Sequence, residues 1–147
     1  MEIIGITRRD LLWNELADYA DECPWKAGKS LAELLYRNKF EDFERPFAAV
    51  ENGRIIGFCT LRKKDSLSSK YLYTPFLGYV FVAEEHRGKH ISEAMIKAVL
   101  EYARISGFGR VYVVSGEEGL YEKYGFRSLG IYETVYGTKE RLLIINT

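Results

Sequence analysis

The stretch VFVAEEHRGKHIS, residues 80–92, decides the fold of this chain. It links the apolar run of residues 78–82 to the strongest amphipathic pattern in the sequence, residues 91–106. An uninterrupted apolar run is typical of a strand that is buried on both faces and therefore central in its sheet. Apolar residues that recur every three or four positions predict a helix with one buried face. We therefore expect a central strand, a glycine-containing loop and a long helix.

The same rules predict shorter elements on both sides of this unit. Asp10 and Ser30 are each expected to cap a helix, because their side chains accept hydrogen bonds from free backbone N–H groups. Asn52-Gly53 between two apolar runs predicts a tight hairpin. Strands are predicted at residues 1–7, 47–50, 55–61, 71–83, 111–114, 131–136 and 141–145, and helices at 10–19, 30–37, 91–106 and 118–124. This order, β-α-α-β-β-β-α-β-α-β-β, predicts an α/β fold whose mixed sheet has one βαβ crossover in its middle and antiparallel hairpins at both ends.

The composition fits one domain over residues 1–147, without repeats or linkers. Lysine plus arginine and aspartate plus glutamate number 21 each, which argues against nucleic acid as a partner. The two cysteines have no metal-site spacing, so no metal is expected. No leader pattern is evident and no apolar run approaches the roughly 20 residues that span a bilayer, so we expect a cytoplasmic protein without a membrane partner. The eleven tyrosines fit either packing around strands or contact with a ligand.

The loop at residues 87–92 has the chemistry of an anion site. The first turn of a helix carries backbone N–H groups without partners and about half a unit of positive charge, which suits phosphate. Arg87 and Lys89 add two cations there, and Gly88 lets the backbone approach a ligand closely. These residues taken alone fit a plain strand-to-helix turn with solvated cations equally well.

Two motifs in the chain resemble those of the GNAT superfamily of N-acetyltransferases. The stretch VAEEHRGKHIS, residues 82–92, resembles motif A of that family, usually Arg/Gln-x-x-Gly-x-Gly/Ala. The stretch LYEKYGF, residues 120–126, resembles the family's Tyr-Glu-Lys-x-Gly-Phe sequence. Their spacing and the element order agree with the family over nearly the whole chain, although residues 10–40 have no specific match. The resemblance implies a mixed, mostly antiparallel central sheet flanked by helices on both faces.

The resemblance also implies an activity. It implies that acetyl-CoA donates an acetyl group to a primary amine of a small molecule or peptide, by direct attack in a ternary complex. The loop would hold the pyrophosphate, and amides near the end of the central strand would meet the pantetheine arm. A homodimer through a sheet edge or the last hairpin would also fit the family. The cofactor-binding residues implied are Phe81, Val82, Arg87, Gly88, Lys89, His90, Ile91 and Ser92.

Two positions depart from the family pattern. His90 stands where the first glycine of the signature belongs, and Ser92 takes the final Gly/Ala place. A side chain at position 90 would obstruct the pyrophosphate if the backbone needed a positive φ, although histidine tolerates that region better than β-branched residues. Ser92 is small and offers a hydroxyl group. We therefore expect acetyl-CoA binding to be retained.

The resemblance places Tyr121 at the general-acid position, where a phenol would protonate the leaving thiolate. The alternative is that Tyr121 only packs on its short helix. No carboxylate lies in the central strand, so no base is assigned; Tyr79, Glu84 and Glu85 are the nearest candidates in sequence. Acceptor recognition is expected from residues 10–40, the loop 62–75 and the last hairpin. A cluster of Asp18, Asp21 and Glu22 beside Trp25 either holds a cationic acceptor or is a solvated helix end.

Two other functions remain open at this point. The first is a catalytically silent module that binds acyl-CoA and has lost the chemistry. The second is a nucleotide-binding protein that uses the same anion site. The absence of Gly-x-Gly-x-x-Gly and of Gly-Lys-Ser/Thr argues against the second.

Overall fold

A computed structural model describes all residues, 1–147, as a twisted sheet of seven strands in the order β1-β2-β3-β4-β5-β7-β6. Only the β4–β5 pair is parallel; all other neighbours are antiparallel. The crossover between β4 and β5 contains the longest helix, α3. The elements are β1 (Glu2–Gly5), α1 (Leu11–Glu22), α2 (Lys26–Tyr36), β2 (Arg45–Glu51), β3 (Arg54–Arg62), β4 (Phe76–Val82), α3 (Ile91–Ile105), β5 (Arg110–Ser115), β6 (Arg127–Glu133) and β7 (Lys139–Asn146).

The sheet separates two layers of helices, because side chains alternate between the faces of a strand. In β2, Phe47 packs with α3 on one face, while the next residue, Ala48, packs with α1 and α2 on the other. In β3, Cys59 and Phe58 are divided in the same way. The predicted fold class, a mostly antiparallel sheet with one βαβ crossover and helices on both faces, is confirmed. None of the three helices has the length and apolar content that a bilayer crossing requires.

The C-terminal half of the sheet lacks a helix on the α1–α2 face and is covered by the loop between β3 and β4. Leu67 in this loop packs on Phe76 and on β5 and β7. Tyr71 lies edge-on to Tyr132, with ring centroids 4.9 Å apart, and Tyr73 lies 5.0 Å from Tyr112. Several of the tyrosines therefore pack around strands, as one of the two sequence interpretations expected.

Two predicted element starts are wrong. The second helix begins at Lys26 rather than at a Ser30 cap; Trp25 is its N-cap, and the Ser30 hydroxyl instead lies 2.9 Å from that of Tyr79. The central strand begins at Phe76 rather than at residue 71, because residues 71–75 belong to the loop that covers the sheet. The tyrosines and the leucine in that loop give it the residue pattern that is typical of a strand. Asp10 does occupy the N-cap of α1, but its carboxylate accepts the Thr7 N–H rather than a helix N–H.

The C-terminal elements are also displaced from the predictions. The helix predicted at residues 118–124 is a short 3-10 turn over Glu122–Tyr124. The strand predicted at 131–136 spans Arg127–Glu133 as β6, and the one predicted at 141–145 spans Lys139–Asn146 as β7. A second 3-10 turn, Glu84–His86, follows β4. The pairing of β6 with β7 extends both strands beyond their apolar runs.

Helices α1 and α2 pack closely at Gly28. A Cβ at this position would lie 2.4 Å from the carbonyl oxygen of Ala20 and 2.5 Å from the Cys23 sulfur. Helix propensity alone favours Gly28→Ala by about 1 kcal/mol, whereas the contact forces the helices apart. We expect Gly28→Ala to lower the free energy of unfolding, measured in urea, by about 1–3 kcal/mol. Gly109→Ala is the control, since its Cβ meets no atom within 4 Å; a stabilised Gly28→Ala variant would contradict the packing.

Candidate active site

The site begins where β4 and β5 separate. The two parallel strands pair only at Phe76 and Tyr112, and beyond that point they diverge into an open cleft of about 810 Å³. A bulge at Tyr79, whose φ is 50°, interrupts the pairing of β4 with β3 at the same level. The bulge in β4 and the opening of the cleft therefore both lie in the middle of the sheet. The cleft is lined by both diverging strands, by Pro24 and Trp25, and by the segment from Glu117 to Tyr121.

The end of β4 turns backbone groups toward this cleft. The Ala83 N–H donates to the Ile56 carbonyl of β3, and backbone groups alternate between the two edges of an antiparallel strand. The N–H and C=O of Val82 therefore point toward the gap, and those of Phe81 point toward β3. By the same alternation, the backbone groups of Val80, two residues before Val82, also face the gap. The amide predicted at Val82 is thus in place, whereas Phe81 contributes its side chain to the cleft wall and Val80 supplies the second free amide.

The N-terminus of α3 lies at the end of the cleft with its donors free. No backbone N–H of residues 88–93 donates a hydrogen bond to any group of the chain, and the first helical bond runs from the Ala94 N–H to the His90 carbonyl. A second cleft of about 380 Å³ lies directly against these donors, and both clefts share Val82, Arg87 and Ser92. Because unpartnered N–H groups at a helix start bind anions, this arrangement fits a phosphate group.

The two predicted cations behave differently. The Arg87 Nε donates to the Val82 carbonyl over 3.0 Å, and its guanidinium lies 6.0 Å from the centre of the Phe81 ring. Arg87 therefore fixes the loop to the end of β4 while still lining both clefts. Lys89 is exposed and lines neither cleft. Lys123, which sequence reasoning missed, lines the second cleft.

Gly88 and His90 give the loop its turn. Gly88 has a φ of 81°, and a Cβ there would meet no atom within 4 Å, so the backbone angle rather than crowding within the chain calls for glycine. His90 also has a positive φ, 61°, in the left-handed region. Its side chain is 84% exposed and points outward, with Nδ1 3.4 Å from the Glu93 carboxylate. The departure at position 90 therefore strains the backbone, while the largely exposed His90 still lines the second cleft.

Ile91 and Ser92 complete the predicted set. The Ile91 side chain is buried in the core below α3, so only its backbone faces the cleft. Ser92 lines both clefts and leaves its hydroxyl without a partner in the chain. The structure thus brings together all the predicted loop residues except the Lys89 side chain.

Tyr121 lies in the wall of the larger cleft, on the opposite side from β4. Its ring is 8% exposed and packs edge-on against Phe126, with centroids 5.6 Å apart. Its hydroxyl makes no hydrogen bond within the chain, and it is not among the fully enclosed polar atoms without a partner. The hydroxyl therefore opens into the cleft. Burial raises the pKa of Tyr121, and the nearby Cys59, Glu117 and Asp65 raise this pKa further, so the phenol stays protonated.

A third cleft, of about 620 Å³, lies on the other side of the β4 bulge. It meets the larger cleft at Asp65, Gly78 and Tyr79, which line both. Sequence reasoning included the loop 62–75 among the recognition segments but singled out none of its residues. Asp65 has no apolar or motif neighbour that marks it, and only the closure of this loop over the sheet brings it to the cleft. The remaining lining comes from α2, the loop after it, strands β3 and β4, the β3–β4 loop and the last hairpin.

The predicted acidic cluster does not form a free cation site. Asp18 accepts a hydrogen bond from the Tyr36 hydroxyl, and Asp21 lies 3.7 Å from the Lys29 ammonium. Trp25 turns away from these acids and stacks on Phe81, with ring centroids 5.9 Å apart. The interpretation of this segment as a solvated helix end therefore describes the acids better, while Trp25 lines the larger cleft.

Comparison with known proteins adds independent findings to this geometry. The family model of the acetyltransferase (GNAT) family matches residues 10–126. N-acetyltransferase family 8 member 2 of Rattus norvegicus is 27% identical over 132 residues, covering 84% of this chain and 55% of the relative. The chain therefore spans about half the length of this curated relative.

Two solved structures show the same fold. The aminoglycoside 6'-N-acetyltransferase from Enterococcus faecium is 16% identical, with a TM-score of 0.75 over 99% of this chain and 97% of that one. A GNAT family acetyltransferase from Elizabethkingia anophelis, solved with acetyl-CoA bound, is 21% identical, with a TM-score of 0.67 over 99% and 97%. Since the family model covers most of the chain and the diverging strands, free helix N-terminus and cleft-facing tyrosine agree with it, the protein belongs to the acetyltransferase (GNAT) family.

Proposed function

We propose that this chain, as one domain, is an N-acetyltransferase that moves an acetyl group from acetyl-CoA to a primary amine of a small molecule or peptide. The observation that carries the proposal is the unpartnered row of N–H groups at residues 88–93, which continues along the free edge of β4 to the Tyr121 hydroxyl. Acetyl-CoA has a diphosphate, an extended arm that contains amides, and a thioester. These three parts match, in this order, the N–H row, the β4 edge and the Tyr121 hydroxyl. Acetyl-CoA supplies the activated acyl group; the residues of the chain bind it, orient it and handle protons.

Orientation is assigned to two sets of backbone groups. The N–H groups of residues 88–93 and the Lys123 side chain would bind the diphosphate, with Arg87 fixing the loop to β4. The backbone groups of Val80 and Val82 would pair with the amides of the pantetheine arm, as an added strand would pair with an open sheet edge. This pairing would set the thioester between β4 and Tyr121. Such positioning removes several kcal/mol from a reaction barrier.

Tyr121 is assigned the role of proton donor to the leaving sulfur. Its burial raises its pKa, so the hydroxyl carries its proton at neutral pH. A low-dielectric cleft wall disfavours a bare thiolate, because removal of water penalises the charged form. The developing negative charge on sulfur therefore gains from a hydrogen bond or proton from Tyr121.

The alternative is a silent acyl-CoA-binding module, and a thiol-release assay separates the two. Acetyl-CoA is mixed with spermidine, kanamycin A, L-lysine and an alanyl peptide, amines with and without an acidic group. We expect thiol release with at least one of them. Acetyl-CoA binding without thiol release from any amine would favour the silent module, and absence of binding would overturn both.

Tyr121→Phe isolates the chemical step. Removing the hydroxyl is expected to lower kcat by about 10²–10⁴-fold, while the Kd for acetyl-CoA stays unchanged because backbone groups hold the cofactor. Steady-state thiol release and calorimetry measure the two quantities. Tyr112→Phe is the matched control, since Tyr112 is also buried with an unbonded hydroxyl but lines none of the three clefts described above. An unchanged kcat in Tyr121→Phe would refute its role as acid.

His90→Gly tests the departure from the family signature. Since His90 adopts a left-handed conformation, glycine is expected to raise the free energy of unfolding by up to about 1 kcal/mol. The Kd for acetyl-CoA is expected to stay equal or fall. His90→Ala keeps the strain but removes the imidazole, so it should be less stable than His90→Gly. A tenfold loss of affinity in both variants would mean that the imidazole itself contacts the cofactor.

A further inference from the structure

We propose that Asp65 is the group that binds the ammonium of the acceptor and takes its proton. This inference rests on the proposed acetyltransferase function and supplies the base that the central strand lacks. Asp65 follows β3 in the loop that crosses the sheet, and it lines both the cleft that holds Tyr121 and the third cleft beyond the β4 bulge. An acceptor that enters through the third cleft would therefore pass Asp65 before it reaches the acyl group.

The carboxylate of Asp65 is fixed and has one free oxygen. Its Oδ1 accepts the Ser66 N–H over 2.7 Å. Its Oδ2 has no hydrogen-bond partner in the chain and lies 3.3 Å from the position that a Cβ on Gly78 would occupy. Any residue other than glycine at position 78 would crowd this oxygen. Gly78 therefore leaves room for the carboxylate directly beside the bulge of β4.

The loop that carries Asp65 is held in place by the last hairpin. The Val135 N–H donates to the Ser66 carbonyl over 2.7 Å, and the Ser68 N–H donates to the Glu133 carbonyl over 3.0 Å. Leu67 between them is buried and forms a bridge with Thr134. These bonds fix the backbone next to Asp65, so its carboxylate is positioned by the sheet rather than by a free loop.

The charges around Asp65 leave it available to a cation. Arg62, the nearest cation that affects it, lies 3.7 Å from the Glu44 carboxylate and forms no ion pair with Asp65. Lys63 and Lys64 also line the third cleft, but neither forms an ion pair within the chain. The other titratable residues that line the two clefts are Glu33 and Arg37 on α2, Lys39, Glu41 and Glu44 after it, Tyr79 on β4, Glu84 and Arg87 after β4, Glu117 and Tyr121 after β5, and Tyr136 in the last hairpin.

The environment also suits proton transfer. Asp65 is exposed where the two clefts meet, and the surrounding protein atoms partly desolvate its carboxylate. This desolvation raises the pKa of Asp65 to about 6, although the Ser66 N–H and Arg62 act in the opposite direction. A base with a pKa near the working pH is both ionised and able to accept a proton.

The proton balance then closes with groups of the chain. Asp65 takes one proton from the acceptor ammonium, and the freed nitrogen lone pair forms the C–N bond as the C–S bond breaks. The sulfur takes the proton of Tyr121. The second proton that nitrogen releases on acylation restores Tyr121 through water in the cleft. Asp65 returns its own proton to solvent, so one proton is released for each amide formed.

Asp65→Asn tests this role with the panel amine that the unaltered protein acetylates fastest. In the unaltered protein, kcat/KM should rise with pH and level off above about pH 6, because a protonated Asp65 cannot accept a proton. The variant should lose about 10²–10³-fold in kcat/KM at pH 7.5 and lose this rise, with the Kd for acetyl-CoA unchanged. Asp65→Glu should regain part of the rate.

The acceptor's own pKa gives a second readout. The loss in Asp65→Asn should be smaller for the alanyl peptide, whose α-amino pKa is about 8, than for spermidine, because more of the peptide amine is already neutral. Asp42→Asn, an exposed position outside these clefts, is the control and should keep full activity. Turnover by the unaltered protein together with an unchanged pH profile in Asp65→Asn would overturn the role of Asp65 alone. Absence of turnover by the unaltered protein with every amine would overturn the proposed function and this inference together.

Discussion

The separation of two parallel strands is the constraint on which the rest of this structure depends. The strands β4 and β5 form one residue pair and then diverge, so the middle of the sheet has unpaired backbone edges facing a cleft. Buried backbone groups without partners are costly in a folded protein. A ligand that supplies amide groups to the free edge of β4 therefore satisfies groups that the fold itself leaves unpaired.

The helix start at the end of this cleft follows from the same crossover. Because α3 leads from β4 to β5, its N-terminus must lie where the free edge of β4 ends. Arg87 holds this corner together through the Val82 carbonyl. Gly88 and His90, both with positive φ, form the turn of this loop. The backbone, more than the side chains, thus builds the anion site.

The two groups proposed to handle protons come from parts of the chain that are far apart in sequence. Tyr121 comes from the segment after β5, whereas Asp65 comes from the loop before β4, and the β4 bulge lies between them. Tyr121 is buried and Asp65 is exposed at the meeting of two clefts, and the partial loss of water around each group raises both pKa values. The phenol therefore keeps its proton, while the carboxyl titrates near neutral pH. One physical effect gives opposite protonation states because the two groups have different ordinary pKa values.

The sequence by itself determined the order of the seven strands and the three long helices, the mixed sheet, the crossover and the glycine-containing loop at the start of α3, because apolar periodicity and a glycine at a helix start act locally. It also marked Tyr121 and the cofactor loop through motif resemblance. Only the tertiary structure decided that Val80 rather than Phe81 turns its amide to the gap, since a bulge and a strand register fix that direction. It likewise decided that Asp18 and Asp21 are engaged elsewhere and that Asp65 reaches the cleft. Those outcomes depend on contacts between segments distant in sequence, which no local pattern encodes.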